Sequence, residues 1–356
     1  MDFMNTSDNT PVACSNCFSD EGLRLDAERI GQGVLGDCPN CGANDFKKLS
    51  APGVGALAHR FFVWGSLWRA RFGAAPLIQF NEHQQTSIDV APWLAPDVEL
   101  IERLLGVGFF HYGPRLWMIG EVEPLKDLQK PKKRQAIVDR ILAEYPIRTL
   151  SQTESFYRVR VSPSIPSDPS QYDSPPLQSA GRGRLDSSRQ PVLYGSSDLE
   201  VCVHECRVTA EDDLFVATLS PNRPLRLLDL SVLLKEEDVT EFDSLDMSVH
   251  MLFLAGKHSY KITRSIADAA RAAGFDGLMY PSYFSLLRIG QMPFQTTYGI
   301  SHRTIPQYQD HEQAKAISNL ALFGTPVASG IVSVDCINRI ILSRVGYDFH
   351  FGPTGA

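Results

Sequence analysis

The sequence lacks the features that would direct the chain to a membrane or to nucleic acid. It has no apolar run close to the roughly 20 residues that a membrane-spanning helix requires. Its net charge of -7 argues against broad electrostatic binding to nucleic acid or to anionic lipid. The opening residues MDFMNTSDNT contain acids and no basic segment ahead of an apolar one, so they predict neither a secretory signal nor a transit peptide. We therefore expect a cytoplasmic protein without a membrane or nucleic-acid partner.

Two further observations narrow the function. No G-x-G-x-x-G segment is present, so nothing in the sequence indicates a dinucleotide held as a hydride carrier. A dense basic cluster at 130–134 is a local exception to the acidic balance. We interpret this cluster as the solvated start of a helix, with a local anion contact as the alternative.

Cysteine is scarce, but four of the cysteines form two close pairs, Cys14 with Cys17 and Cys38 with Cys41. Two residues separate the members of each pair, and this spacing lets a tight turn aim both sulfurs at one ion. Four sulfurs suit tetrahedral zinc and leave no open position for catalysis. We therefore predict a structural zinc site, with a redox pair or a chance spacing as alternatives. The other cysteines lie in apolar contexts and are interpreted as core thiols: Cys202, Cys206 and Cys336.

The length of 356 residues and the hydrophobic fraction of 43% are compatible with two or three packed domains. Changes in composition predict a zinc-binding module over residues 1–50, a helical region over 51–148 and a mixed α/β domain over 149–356. The helical region repeats apolar residues at helical spacing in DVELIERLL and in KRQAIVDRILAEY. Its aromatic segment at 59–72 is interpreted as core or interdomain packing. The expected fold class is α+β.

The last domain mixes strand and helix patterns. A segment reading Ser197-Asp198-Leu199-Glu200 has the form of a capping box at the start of a helix. A second helix is expected to end at Gly274, because glycine suits the left-handed position after a helix. The predicted helices span 198–208 and 265–273, and the predicted strands span 156–161, 191–194, 214–219, 225–230, 276–280 and 331–343.

One stretch of this domain, GRLDSSRQPVLYGSSDLEVCVHE, carries a cation, an aromatic ring and a carboxylate. Arg184 lies in a glycine-rich loop, Tyr194 ends a strand, and Glu205 lies on the helix that follows. Glycines beside an arginine suit phosphate binding, because the backbone can approach the anion and the guanidinium can bind it at two points. The alternatives are a solvated loop arginine, a core tyrosine, and a glutamate in a structural ion pair with Arg207 or His204.

The run from Gly183 to Glu205 resembles the core of the RES domain, a family named for arginine, glutamate and serine. That family has an arginine on an early strand, a second arginine in a loop, a tyrosine, a glutamate on a helix and a late serine in a YPS segment. This sequence departs from the family after the second arginine, where Leu185 and Asp186 replace the usual tryptophan and asparagine. The matching positions, in family order, are Arg158, Arg184, Tyr194, Glu205 and Ser282.

The resemblance implies a fold similar to ADP-ribosyltransferases and an enzyme that breaks the bond between nicotinamide and ribose in NAD. Glu205 would then stabilise the positive charge that develops on the ribose. Arg158 and Arg184 would bind the pyrophosphate or an attacking phosphate. Tyr194 would supply an aromatic wall, and the hydroxyl of Ser282 would bind a phosphate or ribose oxygen. The acceptor is either water, which makes a glycohydrolase, or inorganic phosphate, which makes a phosphorylase.

The resemblance extends more weakly to the first half of the chain, which is similar to the zinc-knuckle and HEPN-type helical extensions of such proteins. HEPN ribonucleases need an arginine and a histidine close together on one helix, and this chain offers only the wider pair Arg103 and His111, so we interpret the region as noncatalytic. Loss of NAD would harm the producing cell, which suggests a toxin or an antiviral defence effector with a neutralising or activating protein partner. A homo-oligomer, an ADP-ribosyltransferase that modifies a macromolecule, and a non-enzymatic zinc-module scaffold remain open.

Overall fold

The structure is a computed structural model that describes residues 9–68, 75–111, 122–176, 181, 183–187, 190–255, 259–289, 296–297, 300–346 and 349–354. The chain divides into two compact units. Unit 1 comprises Met1–Ala70, Ala74–Ile119 and Tyr347–Ala356, and unit 2 comprises Arg71–Gly73 and Gly120–Gly346. Among the described residues, no helix combines the length and the apolar character that crossing a bilayer would need.

The regular elements are numbered in chain order. The strands are β1 (Pro11–Cys14), β2 (Lys48–Ser50), β3 (Leu67–Trp68), β4 (Ala75–Pro76), β5 (Ile78–Asn81), β6 (Gly108–His111), β7 (Ile147–Leu150), β8 (Phe156–Val161), β9 (Val192–Ser196), β10 (Leu214–Pro221), β11 (Leu225–Asp229), β12 (Gly277–Pro281), β13 (Thr296–Thr297), β14 (Ile300–Ser301), β15 (Ser318–Phe323) and β16 (Val332–Ile340). The helices are α1 (Glu21–Ile30), α2 (Ala51–Ala58), α3 (Ala95–Leu105), α4 (Glu123–Gln129), α5 (Pro131–Glu144), α6 (Leu199–Cys206), α7 (Leu245–Leu254), α8 (Tyr260–Ala272), α9 (Ser285–Ile289) and α10 (Gln309–Ala314).

Unit 1 has a hydrophobic core that the cysteine-bearing segment shares with the helices after it. Phe18 and Leu23 lie in the same buried cluster as Leu57, Phe61 and Phe109. The aromatic segment after α2 forms a π-helical turn over His59–Trp64, and its buried phenylalanines agree with the interpretation as core. Because the core is shared, residues 1–50 do not form a compact unit of their own, which differs from the expected boundary.

The second expected boundary also differs from the observed division. The pattern KRQAIVDRILAEY does form a helix, α5, but α4 and α5 belong to unit 2 and pack against α7 and α8. The expected helical region over 51–148 is therefore divided between the two units. Its first predicted helix, α3, lies in unit 1 and ends at Gly106, which takes a left-handed conformation with φ of 66°.

Unit 2 is built on an eight-stranded mixed sheet in the order β16-β10-β8-β9-β15-β12-β11-β7. The pair β11 and β12 is parallel, and the other neighbouring pairs are antiparallel. The chain between the parallel strands contains α7 and α8, as a parallel connection requires. The α+β class is confirmed, since helices accompany a large mixed sheet.

Most predicted elements of the last domain are present, including β8 over Phe156–Val161 and α8 followed by Gly274 with φ of 78°. Two predictions for this domain were wrong, the capping residue of α6 and the burial of Cys336. The cap of α6 is Asp198, whose side chain accepts a hydrogen bond from the Val201 N–H, so the chain enters the helix one residue later than the expected capping box. Cys336 is exposed on the edge strand β16 and is not a core thiol.

Three neighbouring strands position the candidate site. β9, β15 and β12 lie side by side near the middle of the sheet. In this register Asn319 of β15 is opposite Ser196 at the end of β9 and opposite Tyr280 near the end of β12. α6 begins soon after β9, so its residues come close to the same edge.

Candidate active site

Glu205 is bound through one carboxylate oxygen. Its Oε1 accepts a hydrogen bond of 2.8 Å from Ser282 Oγ and one of 2.6 Å from Asn319 Nδ2. The residue is exposed, and its Oε2 accepts no hydrogen bond from any described residue. No ion pair with a described cation forms, so the alternative of a pair with Arg207 or His204 is not observed. The carboxylate is thus fixed in orientation while one oxygen stays available.

Ser282 directly follows β12 and is only 1% exposed. Its N–H donates to Ile317 O at 2.9 Å, and its Oγ accepts from Phe284 N at 3.1 Å while donating to Glu205. The sheet register and the turn after β12 therefore fix the hydroxyl. Two sequence-predicted site residues, Ser282 and Glu205, are in direct contact.

Asn319 and Tyr280 belong to the same cluster and were not singled out from the sequence. Asn319 is 4% exposed and donates to Glu205, and the Tyr280 side chain is hydrogen bonded to Asn319. Burial raises the pKa of Tyr280, and the charge of Glu205 raises it further. Tyr280 is therefore a neutral hydroxyl that supports the amide holding Glu205. A polar residue at the end of an apolar strand was the signal that could have identified Asn319.

Tyr194 holds the loop that precedes it. Its hydroxyl accepts from the backbone N–H groups of Leu185 at 2.8 Å and Asp186 at 3.1 Å, and donates to Asp186 Oδ1 at 2.9 Å. Burial raises the pKa of Tyr194 well above its usual value, so the hydroxyl stays protonated. Asp186, where the sequence departs from the family pattern, is therefore a loop-organising partner.

Gly183 is required by this loop. A Cβ at this position would lie 2.1 Å from Asp186 Oδ1 and 2.8 Å from the Tyr194 hydroxyl. Any side chain would displace one of these two groups. The loop is also fixed from α8, because Arg264 Nη2 donates to Gly183 O at 2.7 Å and Thr263 Oγ1 donates to Arg184 O at 2.6 Å.

Arg184 binds the end of α7. Its Nη2 donates to Ala255 O at 2.9 Å and its Nη1 to Leu252 O at 3.3 Å, where the helix presents its unpaired carbonyl groups. The guanidinium also lies over the ring of Tyr260, 5.0 Å from its centre. Arg184 is thus close to the Tyr280 hydroxyl, whose pKa its charge lowers, although burial prevails.

Arg158 lies in the interior of unit 2. It is 6% exposed, with Nη1 donating to Tyr194 O at 2.6 Å and Nη2 donating to Asp173 O at 3.0 Å. Burial, together with the neighbouring charge of Arg160, lowers the pKa of Arg158 to about 9. The expected contact with substrate stays a prediction, and the observed contacts support the strand that carries Tyr194.

The predicted site residues form two contact groups, one of Ser282 with Glu205 and one of Arg158 with Tyr194 and the loop of Arg184. Tyr194, on β9, binds the loop that carries Arg184, and Arg158 donates to the Tyr194 carbonyl oxygen. The charges of both Glu205 and Arg184 act on the pKa of the buried Tyr280 hydroxyl, Glu205 raising it and Arg184 lowering it. An oriented carboxylate with a free oxygen, beside hydroxyl and amide donors, can stabilise a developing positive charge next to a polyol.

The four paired cysteines of unit 1 also converge. Their sulfurs all lie within 4.8 Å of one another, with Sγ separations of 3.8 Å for Cys14 and Cys17, 3.5 Å for Cys14 and Cys41, and 3.5 Å for Cys17 and Cys38. Four sulfurs around a tetrahedral ion with bonds of about 2.3 Å would be about 3.8 Å apart. The observed set fits a metal ion of that kind.

The backbone around this cluster is preorganised. Gly42, directly after the second pair, has φ of 78°, and the Gly42 N–H donates to Cys38 O at 2.8 Å. Burial acts to raise the pKa of Cys38, but hydrogen bonds from the N–H groups of Cys41 and Asn40 and from the thiols of Cys17 and Cys14 together lower this pKa to about 7. The buried Lys48 Nζ donates to three carbonyl oxygens in the segment between the second cysteine pair and β2: Ala43, Asn44 and Phe46.

The residues considered for a HEPN-type site are on different elements. Arg103 is on α3 and His111 ends β6. Arg103 donates to Asn40 Oδ1 at 3.1 Å, next to the cysteine cluster. The two residues therefore do not share a helix, and the interpretation of the region as noncatalytic stays a prediction.

Comparison with known proteins gives the following relationships. A chain of the M. tuberculosis MbcT–MbcA toxin–antitoxin complex is similar in structure, with a TM-score of 0.32 and 13% identity, covering 58% of this chain and 92% of that one. No curated protein matches the chain. Residues 155–288 match the RES domain family, and this region includes every predicted site residue of unit 2. Unit 2 of this chain therefore contains a RES domain.

Proposed function

We propose that unit 2 cleaves the bond between nicotinamide and ribose in NAD. The match to the RES domain supports an NAD-related enzymatic activity at the level of the family. The observation that carries the specific reaction is Glu205, whose Oε1 is bound by Ser282 and Asn319 while Oε2 has no hydrogen-bond donor among the described residues. A carboxylate in this state suits a reaction in which positive charge develops close to hydroxyl groups.

The chemistry of the substrate matches such a site. In NAD the nicotinamide is a pyridinium, so breaking the bond to C1′ returns the electron pair to the ring nitrogen and releases neutral nicotinamide without a proton donor. The ribose then carries positive charge shared between C1′ and the ring oxygen, as in glycoside hydrolysis. Glu205 Oε2 stabilises that charge or accepts a ribose hydroxyl, and the donors on Oε1 keep the carboxylate in position.

The second half of the reaction adds an acceptor to C1′. With water, a proton is released and the product is ADP-ribose. With inorganic phosphate, the product is ADP-ribose 1″-phosphate. Arg184 provides positive charge for the phosphate groups. Arg158 provides a more deeply buried positive charge and positions β9. Tyr194 supplies an aromatic wall and anchors the loop.

The cysteine cluster takes a separate, structural role. Cys14, Cys17, Cys38 and Cys41 would hold one zinc ion, whose chemistry there is to crosslink two turns of the backbone. The choice of zinc rests on the four thiolate donors and their tetrahedral spacing. With four protein ligands, the ion has no open position for NAD.

The biological setting follows from the reaction. Unrestrained loss of NAD stops the growth of the cell, so the proposal includes a cytoplasmic toxin or defence effector. It also includes a protein partner that neutralises or activates the enzyme.

The product of the reaction tests this proposal. Purified full-length protein is incubated with NAD, with and without phosphate, and the products are separated by liquid chromatography and identified by NMR. We expect free nicotinamide in both cases, with ADP-ribose 1″-phosphate if phosphate is the acceptor. Label from NAD on protein or nucleic acid would instead indicate a transferase. Absence of nicotinamide release in every condition would contradict the proposal.

A further inference from the structure

Unit 1 contains a groove that the segment 349–354 of the chain fills. Two glycines form its floor. A Cβ on Gly22 would lie 2.6 Å from the Cβ of Phe351, and a Cβ on Gly65 would lie 2.4 Å from the Cα of Gly352. These separations are shorter than van der Waals contact, so the groove admits the segment only because both positions lack side chains.

Polar groups on α1 and on the turn after α2 bind the backbone of the segment. Arg29 Nη1 donates to Phe349 O at 3.0 Å, and Arg60 Nη2 donates to the same oxygen at 3.2 Å. The Phe351 N–H donates to Asp26 Oδ2 at 3.2 Å. Asp26 is fully buried in this arrangement. Donors and an acceptor are thus spaced to bind an extended backbone, as in modules that bind peptides.

The aromatic side chains of the segment have distinct environments. Phe351 packs against the hydrophobic core of unit 1, next to the buried cluster of α1 and α2. Phe349 is 51% exposed, and its ring receives the guanidinium of Arg29 at 4.4 Å from the centre. One ring therefore fills a recess, and the other covers a cation at the rim.

We propose that this groove is a peptide-binding site whose ligand is an extended Phe-x-Phe-Gly segment, supplied here by residues 349–352 of the chain itself. The features that recognise the ligand are the glycine floor, the buried Asp26, the two arginines and the recess for the second aromatic ring. A protein partner presenting the same pattern would bind by the same contacts, in competition with the chain's own segment. The site is independent of the proposed NAD chemistry.

The experiment makes the segment separable in the folded protein. A protease site is inserted between Ser343 and Gly346, the full-length protein is purified and cut, and a fluorescent peptide of residues 347–356 is added. We expect the cut fragment to stay bound and then to exchange with the labelled peptide at one site per chain. A peptide with Phe351→Ala should bind about 10-fold more weakly, since it loses a half-buried aromatic ring that packs on the core of unit 1.

Two protein variants sharpen the test. Arg29→Ala should weaken binding of the labelled peptide by about 10-fold, because it removes a hydrogen bond and the contact with Phe349. Arg24→Ala is the matched control on the same helix, since Arg24 pairs with Glu21. A cut fragment that never exchanges, that leaves without being replaced, or whose release unfolds unit 1 by circular dichroism would overturn the proposal. The segment would then be an ordinary part of the core.

Discussion

The two candidate sites differ in what their donor atoms face. In unit 1 four sulfurs face one another, and the surrounding turns are fixed by backbone hydrogen bonds and by Lys48. In unit 2 the carboxylate of Glu205 binds its neighbours through one oxygen, and no residue that the structure describes donates to the other. A closed set of donors can only hold an ion, whereas an open donor can meet a substrate. Changes at the first should therefore alter stability, and changes at the second should alter turnover.

The largest effect is expected at Glu205. Glu205→Gln keeps the size of the side chain and removes the charge, so NAD turnover should fall by roughly 10² or more while the fold is retained. Steady-state nicotinamide release and circular dichroism measure the two properties. Glu200→Gln, on the same helix and exposed in a pair with Arg288, is the control and should stay near wild type. Undiminished cleavage by folded Glu205→Gln would remove Glu205 from the mechanism.

Cys38→Ser should instead lower the stability of unit 1. Loss of one sulfur ligand should abolish stoichiometric zinc and destabilise unit 1, because metal binding contributes directly to folding. Elemental analysis and thermal unfolding measure this outcome, with nicotinamide release recorded in parallel. Cys336→Ser changes an exposed cysteine of unit 2 and should leave the metal content unchanged. Unchanged zinc in Cys38→Ser would rule out the four-sulfur site.

Loss of the hydrogen bond from Asn319 to Glu205 should lower turnover by about 10-fold, because a hydrogen bond to a charged group typically has an effect of that size. Asn319→Asp puts a second carboxyl beside Glu205, and the two should share one proton at an apparent pKa above the usual range. Activity should then recover as the pH falls, because the shared proton restores a donor. Asn319→Leu should show no such recovery, and Asn338→Asp on the exposed edge strand is the control. Identical pH profiles for both Asn319 variants would show that the amide is merely structural.

The smallest effect is expected at Tyr194. Tyr194→Phe leaves the N–H groups of Leu185 and Asp186 without their acceptor and should destabilise unit 2 by about 1–3 kcal/mol. Turnover should fall only a few-fold if the ring is the part that meets the substrate. Chemical denaturation and nicotinamide release measure the two effects. Tyr157→Phe on the neighbouring strand is the control, since that hydroxyl has no hydrogen bond to a described residue.

The sequence predicted the parts of the fold that have a visible period. β8 and α5 alternate apolar and polar residues at the spacing of strand and helix, and both were found. α7 was not predicted, because every face of Leu245–Leu254 is buried apart from His250, and a helix without a polar face shows little periodicity. β15 was also not predicted, because it is buried on both faces and so does not alternate between apolar and polar residues.

The sequence predicted which charged residues belong to the candidate site, but it did not predict most of their hydrogen-bond partners. Resemblance to a family identified Glu205 and Ser282, which do touch. It did not identify Asn319, because only the register of β9, β15 and β12 brings that residue to Glu205. The arginines were assigned to phosphate from their chemistry alone. Their observed partners are backbone carbonyls, which no local pattern encodes.

The distance along the chain between Glu205 and Asn319 also has a consequence for the protein during its synthesis. Their separation is 114 residues, and β15 must insert between β9 and β12 before the sheet is continuous. At ~5–20 residues per second, a ribosome makes the amide on the order of 10 s after the carboxylate. A nascent chain therefore has no assembled site during that interval. A partner that recognises the earlier part of unit 2 could therefore reach the chain on the ribosome before the proposed reaction can begin.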